Sequence, residues 1–254
     1  MICKLCKKEK PLIKSHIYPE WAYRAIYPNG VIDKKRPLLV ISEKKDYVSK
    51  SWTGIYDNTI LCAECDGNLG SMYDGPAKEI ILNIKPKIFK EIDKETNVYT
   101  LPNTDPLLLK NFVLSLLLRA IWSNKEEYSH VSTEESLLPI LESIIRDNRK
   151  SSLYEFSVVA SNYSSASKMK NASKKYIGVP FLYHLEENTY WIINLPNGYK
   201  FYIKGNTDEI NDAMTPLYIR ENYPIYVTEF EKFEDSNELK MLQPNLSKAR
   251  KYRR

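Results

Sequence analysis

"ICKLCKKEKPLIKSHIYPEW", residues 2–21, decides how the rest of this chain is read. Cys3 and Cys6 stand three apart, lysines follow, and His16 is the first of only three histidines. A second pair, Cys62 and Cys65, lies in "ILCAECDGNLG", residues 60–70, and uses up all four cysteines of the chain. Each C-x2-C loop bites a metal with two thiolates, so two such loops spell a tetrahedral four-cysteine zinc site. A thioredoxin-like redox pair needs one C-x2-C on a βα turn, and no such unit surrounds either pair. Zinc would pin the ends of the long intervening segment and contribute directly to folding. Cys62 and Cys65 are expected where a strand turns into a helix, the construction of a treble-clef knuckle. A closed site of four thiolates is structural and performs no chemistry.

The rest of the chain divides by pattern. We expect a zinc module over 1–75, a helical region over 76–150 and an antiparallel β-rich region with a basic tail over 151–254, an α+β fold. In the middle region, "GPAKEIILNIKPKIFKEI" has helical spacing interrupted by Pro86. "DPLLLKNFVLSLLLRAIWS" is the strongest helix signal, with Asp105 to cap it and Pro106 in its first turn. In "STEESLLPILESIIRDNRK", Thr133, Glu134 and Glu135 read as an acidic first turn. Further on, "YEFSVVAS", "YIGVPFLYHL" and "PIYVTEF" read as strands. "TYWIINLPNGYKFYIK" reads as a hairpin turning at Asn197-Gly198. The Ser/Lys/Asn-rich stretch 161–176 reads as a loop.

Charge is uneven. The net charge is +5, yet residues 1–50 alone hold twelve Lys/Arg against five Asp/Glu, and "LSKARKYRR" at 246–254 adds five more cations. Basic ends around an acidic middle predict contact with a polyanion. The most apolar run, 107–122, is shorter than a membrane span and carries Lys110, Asn111 and Arg119. It reads as a buried helix, with Arg119 paired to an acid. The N-terminus lacks the apolar core of a signal peptide. The expectation is a cytoplasmic protein with reduced thiols and no membrane partner.

In order along the chain, Cys3 and Cys6, then His16-Ile17-Tyr18-Pro19, then Asp57-Asn58, then Leu61-Cys62 and Cys65-Asp66 resemble the HNH endonuclease superfamily in its form with a zinc held by four cysteines. The match covers about the first 75 residues. More loosely, "LCKKEKPLIKSHIYPEWAYRAI", "YDNTILCAECD" and "FVLSLLLRAIWS" resemble bacterial HNH-like proteins of unassigned activity. The resemblance implies a ββα-metal fold and metal-dependent cleavage of nucleic acid, DNA more than RNA, with genome defence such as phage defence as its setting. It implies His16 as the general base that activates water. One Mg²⁺ or Mn²⁺ would stabilise charge on the phosphate. Asp66 falls at a metal-ligand position, and Asp57 or Asn58 at the position of an orienting Asn.

One departure matters. The residue before the family's histidine is an acid, and here it is Ser15, a poor Mg²⁺ ligand beside a carboxylate. Lys7, Lys8, Lys10, Lys14 and Arg24 are the candidate phosphate contacts. Trp21 beside Arg24 reads as packing of a short helix before it reads as base stacking. His130 and His184, without company, read as ordinary histidines. Two alternatives stand beside the nuclease: an inactive zinc module that binds nucleic acid or a protein, and an interaction protein stabilised by the four cysteines. The C-terminal region is a candidate for homo-oligomer or partner contacts.

Overall fold

The computed structural model describes residues 1–35, 38–40, 49–91, 97–185, 187–208 and 214–243. The basic tail expected to meet a polyanion lies outside them.

The N-terminal part begins with a two-residue strand, β1 (Ser15–His16), and a short helix, α1 (Glu20–Ile26). A two-stranded ribbon follows, β2 (Leu38–Val40) with β3 (Ser49–Ser51). β4 (Tyr56–Asp57) then returns antiparallel to β1, pairing Ser15 with Asp57 and His16 with Tyr56. Cys62 caps α2 (Ala63–Leu69), which continues through one wide turn at Gly70–Asp74 into α3 (Gly75–Leu82). Two strands and a helix thus surround the cysteines.

The middle region is less helical than its pattern implied. Pro86 ends the helical period, and "KIFKE" becomes β5 (Lys87–Glu91), paired with β6 (Asn97–Leu101). A proline cannot continue a helix but tolerates an extended chain beyond it. α4 (Pro106–Trp122) forms as its sequence demands: the Asp105 carboxylate accepts from the backbone N–H of Leu107 and Leu108, and Pro106 opens the first turn. Nearly all of it is buried, as expected of a helix apolar on every side. α5 (Leu138–Arg146) starts later than Thr133, so Glu134 and Glu135 precede it and its first turn holds no acid. Pro139 fits the first turn, where no N–H is needed.

β7 (Val158–Tyr163), the short α6 (Lys170–Ser173), β8 (Gly178–Leu185), β9 (Asn188–Asn194), β10 (Tyr199–Lys204) and β11 (Ile225–Glu231) complete the chain up to a final helical stretch over 237–243. Seven strands form one sheet in the order β5-β6-β11-β7-β10-β9-β8. The expected antiparallel pattern needs correction at one place, because β11 runs parallel to β7. The β9–β10 hairpin does turn at Asn197-Gly198, with φ of 63° and 82°, the left-handed pair that matches strand twist. A Cβ on Gly198 would fall 2.6 Å from the Asn162 side chain, so glycine is required twice over.

One face of the sheet packs on α4 and on the cysteine-bearing N-terminal part in a single apolar core. The segments bounded at 75 and 150 therefore share their interior. Tyr18 Oη donates to the Gly178 carbonyl at 2.8 Å, joining the N-terminal part to β8. Asn197 Nδ2 donates to the Ile81 carbonyl at 3.0 Å, joining the hairpin to α3. On the other face, Lys200 is buried between Glu231 at 2.6 Å and Glu238 at 2.9 Å, with Tyr202 against its ammonium. No helix among the described residues is long and apolar enough to cross a membrane.

Candidate metal centre and histidine site

The sulfurs of Cys3, Cys6, Cys62 and Cys65 all lie within 4.8 Å of one another. A tetrahedral zinc site with bonds of about 2.3 Å separates its sulfurs by roughly 3.8 Å, so the donor set and its spread fit that ion. Backbone geometry holds them there. Lys7 takes a left-handed φ of 58° and donates to the Cys3 carbonyl, closing the first loop. Lys4 N–H donates to the Ile60 carbonyl and Ile13 N–H to the Leu61 carbonyl, which bring the second loop alongside. Cys62 N–H points at Cys3 Sγ at 3.4 Å, the orientation that supports a thiolate ligand. Burial opposes ionisation of Cys3, but backbone N–H groups of Cys6, Cys62 and Leu5 outweigh it and bring the thiol to about 7. Burial and the three neighbouring thiols push Cys65 the other way.

His16 sits at the end of β1, packed between Tyr23 and Tyr56. Its Nε2 is buried and has no hydrogen-bond partner among the described residues. The Thr53 backbone lies by the ring and favours its charged form. Burial is the largest influence on the imidazole and lowers its pKa, against the opposing charges of Glu20 and Asp66. The ring is therefore neutral at pH 7, with a lone pair to offer. Such an orphaned buried nitrogen is uncommon in folded proteins.

Asp66 on α2 and Ser15 on β1 meet, with Ser15 Oγ donating to Asp66 Oδ1. Ser15 is wholly buried. The Ser15 hydroxyl thus orients the Asp66 carboxylate. Asp57 goes elsewhere. Its Oδ1 accepts from Thr59 N–H at 2.8 Å and Thr59 Oγ1 at 2.6 Å. Its Oδ2 accepts from Asn124 N–H at 2.8 Å and Ser123 Oγ at 3.1 Å. Burial opposes its charge, yet these four donors hold the carboxyl below its usual value. Asp57 ties β4 to the end of α4. Asn58 is exposed in the following turn. Of the four candidate catalytic residues, Asp57 is engaged within the fold and Asn58 is exposed, while the charge of Asp66 acts on His16.

The basic candidates are scattered. Lys7 pairs with Glu142 at 2.7 Å, Lys10 with Glu64, and Arg24 with Glu20 at 2.7 Å. Lys8 is exposed, and Lys14 lies over the Tyr56 ring. Trp21 packs as expected, stacked on Phe112 with Nε1 donating to the Asp74 carbonyl. His130 Nε2 meets the Pro180 carbonyl at 2.8 Å, and His184 Nδ1 meets Thr189 at 3.0 Å. Arg119 does pair with an acid: its guanidinium grips Asp74 with both nitrogens, at 2.7 and 3.0 Å, and donates to the His16 carbonyl at 3.3 Å. It thereby steadies the β1 backbone.

Three participants escaped sequence reasoning: the Thr53 carbonyl, the Ser15 hydroxyl as a donor to Asp66, and Arg119 as a brace for His16. Thr53 is 37 positions from His16 and offers only a backbone atom, so no pattern pointed to it. Comparison of the chain with protein-family models, with curated proteins and with solved structures gives no match.

Proposed function

We propose that the chain is a metal-dependent phosphodiesterase of the HNH type, cutting nucleic acid, with DNA as the preferred substrate and His16 as its general base. The carrying observation is the half-buried His16, its pKa lowered by burial, whose buried Nε2 has no partner among the described residues. In this reading the Thr53 carbonyl fixes the tautomer, leaving the Nε2 lone pair to take a proton from water. The four thiolates hold zinc and keep β1, β4 and α2 in register, a treble-clef arrangement. Asp66, oriented by Ser15, holds a divalent ion that stabilises charge on the phosphate when bound. One or two carboxylates with substrate phosphate and water suffice for Mg²⁺, so loss of an acid at position 15 is compatible with this role. Asp57 is a brace and takes no part in the reaction.

A second reading is favoured by Ser15 and Asp57 together, since one acid is missing and another is consumed inside the fold: an inactive zinc module that binds nucleic acid. Incubating the protein with plasmid DNA and structured RNA, with Mg²⁺ or Mn²⁺, separates them. Metal-dependent cutting that disappears in His16→Ala while zinc is retained supports the nuclease. No cutting, with nucleic acid still bound, supports the module.

A further inference from the structure

A cleft of about 420 Å³ opens beside the His16 strand, walled by residues 50–56 on one side and by Lys125 and Glu127 on the other. That size is at the low end of small-ligand sites. Its aromatic surface is exposed: Trp52 is 43% and Tyr56 37% accessible. The ammonium groups of Lys14 and Lys125 lie 5.1 and 5.9 Å from the Tyr56 ring centre. Neither has a carboxylate partner among the described residues. Aromatic faces beside unpaired cations are the pairing that binds unstacked nucleotides.

The floor of the cleft is a closed turn that adjoins the histidine strand. Ser51 Oγ donates to the Gly54 carbonyl and accepts from Gly54 N–H, closing a tight turn. Gly54 has a φ of 90°, and a Cβ there would fall 2.0 Å from the Tyr23 ring. This turn carries the Thr53 carbonyl to His16. Trp52 is anchored at its edge, its Nε1 donating to the Lys34 carbonyl at 3.1 Å, and the residue remains exposed. Across the strand pair, Tyr56 stands opposite His16, with ring centres 6.1 Å apart.

We propose that this cleft binds one unpaired nucleotide of a single-stranded nucleic acid, its base on Trp52 and its phosphate at Lys14 and Lys125. This placement rests on the reading of His16 as a phosphodiester-cleaving base, because it brings the adjoining linkage of the strand towards that residue. A duplex keeps its bases inside and offers Trp52 nothing to stack on. The site therefore selects single strands, flaps or locally opened duplex.

The test is fluorescence anisotropy of the full chain with a labelled 12-nucleotide single strand and with the matching duplex, without added divalent ion. We expect the single strand to bind at least tenfold more tightly. Trp52→Ala should weaken it roughly tenfold, the size of one lost stacking contact, and leave duplex binding unchanged. Lys125→Ala should weaken it too and lower the salt-dependence slope by about one. Zinc content and melting temperature report whether each variant is folded. Equal binding of both substrates, or wild-type binding by folded Trp52→Ala and Lys125→Ala, overturns the proposal. Because the readout is binding, a protein that never cuts but loses the single strand in Trp52→Ala refutes the catalytic reading and keeps the cleft. A protein that cuts, with Trp52→Ala binding as wild type, does the reverse.

Discussion

Around the four thiols, order comes from a few short-range features: two C-x2-C loops, two-residue strands β1 and β4, and a seven-residue helix. In the seven-stranded sheet it comes from long strands whose neighbours are distant in sequence, with β11 inserted between β6 and β7. Short strands bury too little apolar surface to stand alone, so the N-terminal end depends on its cysteines and on the core it shares with α4. The sheet shares that core on one face but is also held by long ladders of its own. What this difference teaches is where to place function: the end with the four-cysteine cluster also carries a histidine whose buried Nε2 has no partner among the described residues, while the sheet sets Lys200 between Glu231 and Glu238.

The largest expected effect separates the two regions outright. Cys62→Ser should abolish zinc binding and melt the N-terminal end, while the sheet keeps its far-ultraviolet circular dichroism signal; simultaneous loss of both would show that the regions are not separable in this way. Next in size is a break in the sheet. Lys200→Met leaves Glu231 and Glu238 facing each other in the interior, and removing one member of a buried ionic group costs about 3–5 kcal/mol. Denaturant melts should record that loss with zinc content unchanged.

How much of this was legible depends on range. Asp105, Pro106 and the Asn197-Gly198 turn each act through neighbours within four residues, and all three are where the sequence places them. The cysteine spacing is equally local within each loop, which is why the four-sulfur cluster was readable. "KIFKE" was not, because five residues bounded by Pro86 have no period long enough to distinguish helix from strand. The parallel β7–β11 pair joins residues more than 60 positions apart, and nothing in either strand names its partner. At the site, the candidacy of His16 and Asp66 was readable from residue type. The diversion of Asp57 was not, since it depends on Ser123 and Asn124, whose position follows from where α4 ends.

A smaller effect concerns the boundary between the regions. Lys110 on α4 is buried, and burial lowers its pKa to about 8, with Glu155 opposing. Unfolded, it titrates near 10.4. The unfolded chain therefore binds more protons than the folded one between these values, so this lysine makes stability rise with pH from about 8 to 10.4. The full contribution is roughly 3 kcal/mol. Lys110→Met should remove that rise, seen by comparing urea melts of both proteins across the window; buried tyrosines affect both equally and cancel. Parallel curves for the two proteins would contradict the burial argument.

The most direct test of the central claim sets two aspartates against each other. If Asp66 serves the reaction and Asp57 serves the fold, Asp66→Asn should abolish metal-dependent cleavage at an unchanged melting temperature. Asp57→Asn should instead lose about 2–3 kcal/mol of stability, as expected when a charged hydrogen-bond acceptor is replaced. It should still cut in the temperature range where it remains folded. Cleavage by Asp66→Asn at the wild-type rate, or an Asp57→Asn protein that is stable but inactive, would contradict the account.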